Sequence, residues 1–281
     1  MAEPAQELRQ KAQQKVKQSL QQEQHFDKRQ VAGSFSRAAV SYDSMAGVQR
    51  RVGTELLSQR PADWQGQLID LGSGTGYFSL PLAQLPGCRV LAVDLAEGML
   101  EFARRERPHP DIDYLCADAE QLPLADASID GLFSSLAIQW CLSPAQLFAE
   151  LARVLKPGAT ALVATLGPQT LHELRQAWAA VDEFEHVNRF ESLETMRQAI
   201  EPGFELVELK QQDIVLQYDQ LKQMTDELKG IGAHNLNSGR QHSLSGRARI
   251  RAFRDAYEQL RDQDGKIPAT YQVFYFRLRR R

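Results

Sequence analysis

The residues whose types and spacing point most clearly to a chemical role are Asp70–Gly76, a loop in which glycines at alternate positions follow an acid. The apolar run Gln67–Leu71 leads into this loop, and a helical pattern starts after it at Tyr77. Glycine permits a tight turn and lets a bulky ligand lie against the backbone, where a side chain would clash. The segment therefore predicts a cofactor-binding turn between a strand and a helix.

The spacing of the glycines distinguishes between two kinds of cofactor. A dinucleotide-binding loop has the pattern G-x-G-x-x-G. Here the residue three positions after Gly74 is Tyr77, and the third glycine, Gly76, comes one position earlier. We therefore favour a nucleoside that bears an amino acid over a nicotinamide dinucleotide, and a nicotinamide oxidoreductase is the less favoured alternative.

Two further acids follow the next apolar runs along the chain. Asp94 ends the run Arg89–Asp94, and Asp118 follows the run Asp111–Cys116. Because the carboxyl ends of parallel strands share one edge of a sheet, we expect both acids to lie beside Asp70. Asp94 could accept both hydroxyls of a ribose, and Asp118 could bind an adenine amino group. A helix cap at Asp94 and a turn-forming role for Asp118 are the alternatives.

These residues must be positioned by an α/β sheet. Apolar runs alternate with helical patterns over Gln67–Leu166, which is typical of βαβ crossovers and a parallel sheet. Pro157 and Gly158 predict the end of a helix after Lys156. The alternating segment Tyr271–Arg279 predicts a late antiparallel strand. We therefore predict an α/β fold with a doubly wound, mostly parallel, seven-stranded sheet.

The chain is predicted to form one domain behind a polar tail. Residues 1–25 are rich in Gln, Lys and Glu and predict a mobile tail, which leaves a single domain over 26–281. Val31–Gln59 predicts two N-terminal helices ahead of the sheet. Two segments of looser pattern, at about 167–200 and 213–264, predict a helical cap.

Composition excludes several classes of protein. A net charge of −3 gives no reason to expect a nucleic-acid partner. Cys88, Cys116 and Cys141 show no C-x-x-C spacing, so we expect neither a metal site nor a disulfide framework. The sequence has no apolar run of about 18 residues and no apolar leader. We therefore expect no membrane association and a cytoplasmic location.

The segment from Gln67 to Gly167 resembles the class I S-adenosylmethionine-dependent methyltransferases. The resemblance rests on the glycine loop with its acids and on the segments Leu122–Asp130 and Arg153–Gly158. It implies a Rossmann-like sheet and S-adenosyl-L-methionine as the cofactor, without a metal. The residues that it places at the cofactor are Asp70, Gly72, Gly74, Gly76, Asp94, Leu95, Asp118, Ala119 and Leu136.

Three further segments are similar to those of the bacterial malonyl-acyl-carrier-protein O-methyltransferases of biotin synthesis. These segments are Val31–Asp43, Ser134–Cys141 and Leu228–Arg240, and the resemblance extends from Val31 to the C-terminus. It implies methylation of the free carboxylate of a malonyl thioester, carried by acyl-carrier protein or coenzyme A. Because a carboxyl with a pKa of about 4 is already ionised at pH 7, such a reaction needs no general base.

Tyr42, Lys229 and Arg240 are the candidates to hold the substrate carboxylate. A guanidinium can bind a carboxylate through two hydrogen bonds, and a phenol can orient one oxygen. Each residue also has a plainer interpretation: a packing aromatic for Tyr42, a solvated helix end for Lys229 and a loop salt bridge for Arg240.

A helix predicted over Leu244–Leu260 carries a basic stripe. Arg247, Arg251 and Arg254 lie at spacings that place them on one face, where they could attract an acidic carrier protein. A solvated helix face is the alternative. The apolar stripe of the same helix is predicted to comprise Ile250, Phe253, Tyr257 and Leu260.

Other functions remain open at this stage. The enzyme could methylate another small acid, such as an aconitate-like tricarboxylate, or a carbon of a quinone ring. The chain could also be a partner protein that binds S-adenosylmethionine without turning it over.

Overall fold

The computed structural model describes residues 27–231 and 246–281. The predicted tail, residues 1–25, and Arg240 lie outside the described residues. The strands are β1 (Gly66–Leu71), β2 (Cys88–Asp94), β3 (Ile112–Cys116), β4 (Ile129–Ser135), β5 (Leu155–Leu166), β6 (Phe204–Tyr218) and β7 (Ile267–Arg280). The helices are α1 (Lys28–Met45), α2 (Gly47–Ser58), α3 (Ser79–Ala83), α4 (Glu97–Glu106), α5 (Pro144–Val154), α6 (His172–Ala179), α7 (Leu193–Ile200), α8 (Leu221–Gly230) and α9 (Gly246–Glu258).

The strands form one seven-stranded sheet in the order β3-β2-β1-β4-β5-β7-β6. Strands β1 to β5 pair in parallel, and β7 lies antiparallel between β5 and β6. The predicted doubly wound, mostly parallel sheet is therefore confirmed. The strand order reverses between β1 and β4, and open α/β sheets bind ligands at the carboxyl ends of the strands at such a point.

Both faces of the sheet are buried. In β1, Leu68 packs into one hydrophobic cluster and its neighbour Ile69 into another. Because successive side chains of a strand point to opposite faces, this arrangement covers the sheet on both sides. The two predicted N-terminal helices are present, with α1 against α4 and α2 against β4 and β5.

The predicted end of the helix near Lys156 is wrong. Helix α5 ends at Val154, and β5 already begins at Leu155, which pairs with Ile129 of β4. The register of this pair of strands shifts directly afterwards, which accommodates Pro157 and Gly158 inside the strand.

The predicted cap does not fill its predicted segments, 167–200 and 213–264, because part of the second segment belongs to the sheet. Residues 213–218 continue β6 and pair with β7, which is long enough to partner β6 over its whole length. Helix α7 packs against α5 and β6, α6 packs against β7, and α8 packs against β6. Helix α9 packs against both α6 and α8, so these three helices form one group beside β6 and β7. Within the described part of the chain, no helix is long and apolar enough to cross a membrane.

Candidate functional site

A cavity of about 110 Å³ lies at the carboxyl ends of β1 to β4, where the strand order reverses. Helix α1 forms its opposite wall through Val31, Ala32, Phe35 and Tyr42. Of the residues predicted to bind cofactor or substrate, the cavity is lined by Tyr42, Gly72, Gly74, Asp94, Leu95, Asp118, Ala119 and Leu136.

The glycine loop is held against both neighbouring strands. The amide of Gly72 donates to the carbonyl of Val93 in β2 at 2.7 Å. Gly72 has a φ of +71°, and a β-carbon built on it would lie 2.1 Å from that of Ala137, just after β4. Glycine is required here for its backbone conformation and for the close approach of the two loops.

Asp94 connects the end of β2 to the glycine loop. Its carboxylate accepts hydrogen bonds from the amides of Gly74 at 2.8 Å and Ala96 at 2.7 Å. Burial raises the pKa of Asp94, and these hydrogen bonds oppose the rise. A β-carbon at Gly74 would meet no atom within 4 Å, so the loop leaves open space beside the carboxylate.

Asp70 and Gly76, the first and last residues of the glycine loop, do not line the cavity. Asp70 is 2% exposed and accepts a hydrogen bond from the Ser79 hydroxyl at 2.6 Å. Burial is the main cause that raises the pKa of Asp70 to about 7. The charge of Asp94 also raises this pKa, and the hydrogen bond from Ser79 lowers it. Gly76 turns with a φ of +76° against Ala103 of α4. Both residues therefore contact neighbouring elements at the ends of the loop, away from the cavity wall.

Asp118 is paired with a cation that the sequence did not single out. The ammonium group of Lys28, on α1, lies 2.7 and 2.6 Å from the two carboxylate oxygens of Asp118 and also binds Glu120. Lys28 and Asp118 are 90 positions apart, and no local pattern joins them. Among the described residues that line the cavity, Lys28 carries the one basic side chain.

The end of β4 places a hydroxyl in the cavity wall. Ser134 donates to the carbonyl of Leu71 at 2.9 Å, whereas the buried Ser135 hydroxyl has no hydrogen-bond partner in the described part of the chain. Leu136 follows with a φ of +52°, and its amide donates to Ala164 at 2.9 Å. The sequence analysis does not single out Ser135 as a site residue, although it lies at a strand end and within the segment Ser134–Cys141 that carries the family resemblance.

Of the three predicted substrate residues, Tyr42 and Lys229 belong to the described part of the chain, and they differ in their placement. Tyr42 lines the cavity, and burial raises its pKa, with Asp94 and Asp43 adding to the rise, so the phenol is neutral at pH 7. Lys229 is exposed at the end of α8 and does not line the cavity. The carbonyl of its neighbour Gly230 accepts a hydrogen bond from Ser41 at 3.0 Å, which joins α8 to α1 beside Tyr42.

The predicted basic stripe is exposed on α9. Arg247, Arg251 and Arg254 are all exposed, and Ile250 between them is 57% exposed. The assignment of Ile250 to the apolar stripe is therefore wrong, because α9 buries only the face of Phe253 and Tyr257 in the core.

Within residues 27–231 and 246–281, no His, Cys, Asp and Glu side chains form a group that could hold a metal.

Solved structures support the fold. The chain superposes on the YcgJ protein of Bacillus subtilis with a TM-score of 0.57 and 18% identity, covering 83% of this chain and 98% of that one. It also superposes on phosphoethanolamine N-methyltransferase 2 of Haemonchus contortus, solved with S-adenosylhomocysteine, with a TM-score of 0.55. That match has 18% identity and covers 87% of this chain and 57% of the other.

Sequence comparisons identify the family. Residues 69–163 match the model of the methyltransferase domain family. The chain is 48% identical to the biotin biosynthesis bifunctional protein BioHC of Cellvibrio japonicus over 89% of its own length. It spans about half of that relative and of the BioHC of Teredinibacter turnerae, 49% and 47% of their lengths. It is 42% identical to the malonyl-[acyl-carrier protein] O-methyltransferase of Laribacter hongkongensis, covering 89% of both chains. The chain therefore belongs to the malonyl-[acyl-carrier protein] O-methyltransferase family.

Proposed function

We propose that this chain transfers a methyl group from S-adenosyl-L-methionine to the free carboxylate of malonyl-acyl-carrier protein, an early step of biotin synthesis in the cytoplasm. The observation that carries the proposal is the grouping of Asp94, the glycine loop and Tyr42 around one cavity. Family membership supports the reaction type and argues against the nicotinamide oxidoreductase considered from the sequence.

The residues around the cavity fit a nucleoside that carries an amino acid. Gly74 offers open space beside the Asp94 carboxylate, which suits hydroxyl groups of a ribose. Asp118 and Ala119 border the neighbouring part of the cavity, where an adenine would lie. The unpartnered hydroxyl of Ser135 and the turn at Gly72 suit the polar end of the ligand. Asp70 and Gly76 would act on the ligand only through the loop.

Catalysis in this site needs alignment of the reactants and no proton transfer. When bound, S-adenosylmethionine supplies a methyl group on a sulfonium, and transfer leaves a neutral thioether and a methyl ester. The substrate carboxylate is ionised at pH 7, so the protein has to position one of its oxygens. Tyr42 is suited to this task because its neutral phenol can donate a hydrogen bond to the other oxygen.

The second partner of the carboxylate is proposed to be Arg240. Lys229 lies outside the cavity wall, and Lys28 is bound to two acids. Arg240 belongs to the segment that follows α8, whose end lies against α1 beside Tyr42. A guanidinium brought to this edge would neutralise the carboxylate without shielding both oxygens.

The arginine face of α9, defined as Arg247, Ile250, Arg251 and Arg254, is proposed to dock the carrier protein. Its residues follow the spacing of one helix face, and all of them are exposed. Three cations around one exposed apolar side chain suit an acidic protein surface.

The decisive experiment is transfer of labelled methyl from S-adenosylmethionine to a panel of acceptors. The panel contains malonyl-acyl-carrier protein, malonyl-coenzyme A, malonate, aconitate, a demethylated quinone and acetyl-carrier protein. We expect label on the malonyl thioesters alone. Label on aconitate or the quinone would replace the proposed substrate, and cofactor binding with no labelled acceptor would favour a non-catalytic binding protein.

A further inference from the structure

The cluster that Lys28 forms with Asp118 and Glu120 has a geometry that the methyl-transfer reaction does not explain. Lys28 is the first residue of α1, and its ammonium group binds both oxygens of Asp118 and one of Glu120. Its side chain is 18% exposed, and that of Glu120 is 5% exposed. The cluster therefore joins the beginning of α1 to the segment that follows β3, the edge strand of the sheet.

The acidic partners are fixed in place by the backbone. Glu120 accepts hydrogen bonds from the amides of Leu142 at 2.9 Å and Ser143 at 2.7 Å, directly before α5. Asp118 accepts a hydrogen bond from the amide of Glu120 at 3.0 Å. Both carboxylates therefore also bind backbone amides, whereas the ammonium of Lys28 binds these two acids.

The charge balance of the cluster makes the lysine necessary. Two carboxylates meet one ammonium, so loss of Lys28 would leave two like charges side by side. Burial would lower the pKa of Lys28, but the hydrogen bonds that its ammonium donates to Asp118 and Glu120, with the charges of these acids, outweigh burial and raise the pKa, so the ammonium stays charged.

Helix α1 is held at its beginning by Lys28, in its middle by α4, and at its end by contacts of Ser41 and Asp43, and the cavity lies along it. In its middle, Ala39 packs on Ala96 and Met99, and the Ser36 hydroxyl accepts a hydrogen bond from Gly98 at 3.2 Å. At its beginning, Lys28 supplies the ionic contact. Of the cavity-lining residues that follow Lys28, Val31 is buried, and Ala32 and Phe35 pack partly against the same cluster on α4. Opening the Lys28 contact would therefore remove the charged contact of the first turn of α1, which faces Asp118.

We propose that Lys28 is a positioning residue that clamps α1 over the Asp118 end of the cavity and so slows release of the adenosyl cofactor. The inference rests on the proposed function, because it requires that the cavity binds S-adenosyl compounds. It assigns to an ion pair a kinetic role in retaining the cofactor between substrate encounters. The ammonium acts through α1 and Asp118 rather than on the reacting atoms.

The test is the rate of release of S-adenosylhomocysteine, measured by stopped-flow displacement in the full chain. We expect Lys28→Met to raise the dissociation rate constant about tenfold, because it removes the ammonium that binds both acids, with little change in the association rate constant. Lys28→Arg should restore slow release. Lys156→Met, which removes a 2.6 Å pair with Asp130 at the beginning of β4, is the matched control and should leave release unchanged.

Salt dependence supplies a readout that a purely structural role would not move. Release from the unaltered protein should accelerate modestly as sodium chloride rises, because the Asp118 side of the contact is part-exposed, and release from the Lys28→Met variant should not. Equal release rates in the unaltered protein and Lys28→Met, or failure of Lys28→Arg to restore slow release, would overturn the clamp. Failure of the unaltered protein to bind S-adenosylhomocysteine would instead overturn the proposed function.

Discussion

Gly72 and Ala137 approach so closely that a β-carbon on the glycine would lie 2.1 Å from that of the alanine. The contact joins the glycine loop after β1 to the loop after β4, on either side of the point where the strand order reverses. Any side chain at position 72 must therefore push apart the two loops that enclose the cavity.

Gly72→Ala should lower both stability and cofactor affinity. The substitution adds a backbone penalty of about 1–2 kcal/mol at positive φ and a steric penalty of about 1–3 kcal/mol. We expect the free energy of unfolding, measured in urea, to fall by roughly 2–5 kcal/mol. Gly158→Ala is the control, because its φ is +79° but a β-carbon there meets no atom within 4 Å. A similar loss in both variants would mean that the contact with Ala137 contributes little.

Local patterns account for what the sequence predicts well. The glycine loop and the acids at the ends of β2 and β3 are each encoded in a short run that alternates with helices, so Asp94 and Asp118 are found at the cavity as expected. Asp70 lies in the apolar run that leads into the glycine loop, but its side chain is buried and binds Ser79. Sequence spacing alone does not tell which way a side chain turns after its strand ends.

The features that the sequence does not predict depend on contacts between segments far apart in the chain. Lys28 meets Asp118 only because α1 folds back over the sheet. The sequence pattern predicts that α5 ends after Lys156, but the helix ends at Val154. Leu155 already pairs with Ile129 of β4, and this tertiary contact outweighs the turn preference of Pro157. Ile250 has helical spacing to Phe253, but α9 meets the core through a face too narrow to include it.

Tyr42→Phe should impair methyl transfer without weakening cofactor binding. The change removes one hydrogen-bond donor to the substrate carboxylate and leaves the aromatic contact with Phe35, at 6.4 Å between ring centroids, in place. We expect kcat/KM for malonyl-acyl-carrier protein to fall about tenfold. Isothermal titration with S-adenosylhomocysteine should give an unchanged Kd.

Tyr114→Phe is the matched control for this prediction. Tyr114 lies on β3, away from the cavity wall, and its hydroxyl only contacts the carbonyl of Arg107 at 3.4 Å. Equal activities of the two variants would remove Tyr42 from the proposed site.

Asp70 should make the stability of the cofactor-free protein fall as the pH rises. Its carboxyl ionises near 3.8 in the unfolded chain and near 7 in the folded one. Between these values the folded protein keeps a proton that the unfolded chain has lost. The stabilising contribution is therefore complete below pH 3.8 and is lost as the pH rises to about 7, by at most about 1.4 kcal/mol per pH unit.

Asp70→Asn should flatten this dependence, since an amide does not titrate and its oxygen can still accept from Ser79. The measurement is the free energy of unfolding in urea at several pH values from 5 to 8. Asp130→Asn is the control, because Lys156 and the Gln67 amide outweigh the effect of burial and lower the pKa of Asp130. An equally steep decline in the Asp70→Asn variant would contradict the assignment.

Charge reversal on the arginine face of α9 should weaken the reaction only with the protein-bound substrate. Arg247→Glu combined with Arg251→Glu replaces two exposed cations by anions on the face proposed to meet the carrier protein. Because opposite charges mainly accelerate association, we expect KM for malonyl-acyl-carrier protein to rise roughly tenfold at low salt. The kinetics with malonyl-coenzyme A, which presents no protein surface, should not change.

A second charge-reversed variant separates this effect from net charge. Arg51→Glu with Arg60→Glu changes the total charge by the same amount on exposed residues of α2 and the loop after it. If both double variants raised KM for the carrier protein equally, the attraction would come from overall charge. If only the α9 variant did so, the carrier protein would approach the cap side of the molecule. A selective loss with malonyl-acyl-carrier protein would then tie the cap helix to substrate choice, because coenzyme A reaches the same cavity without using that face.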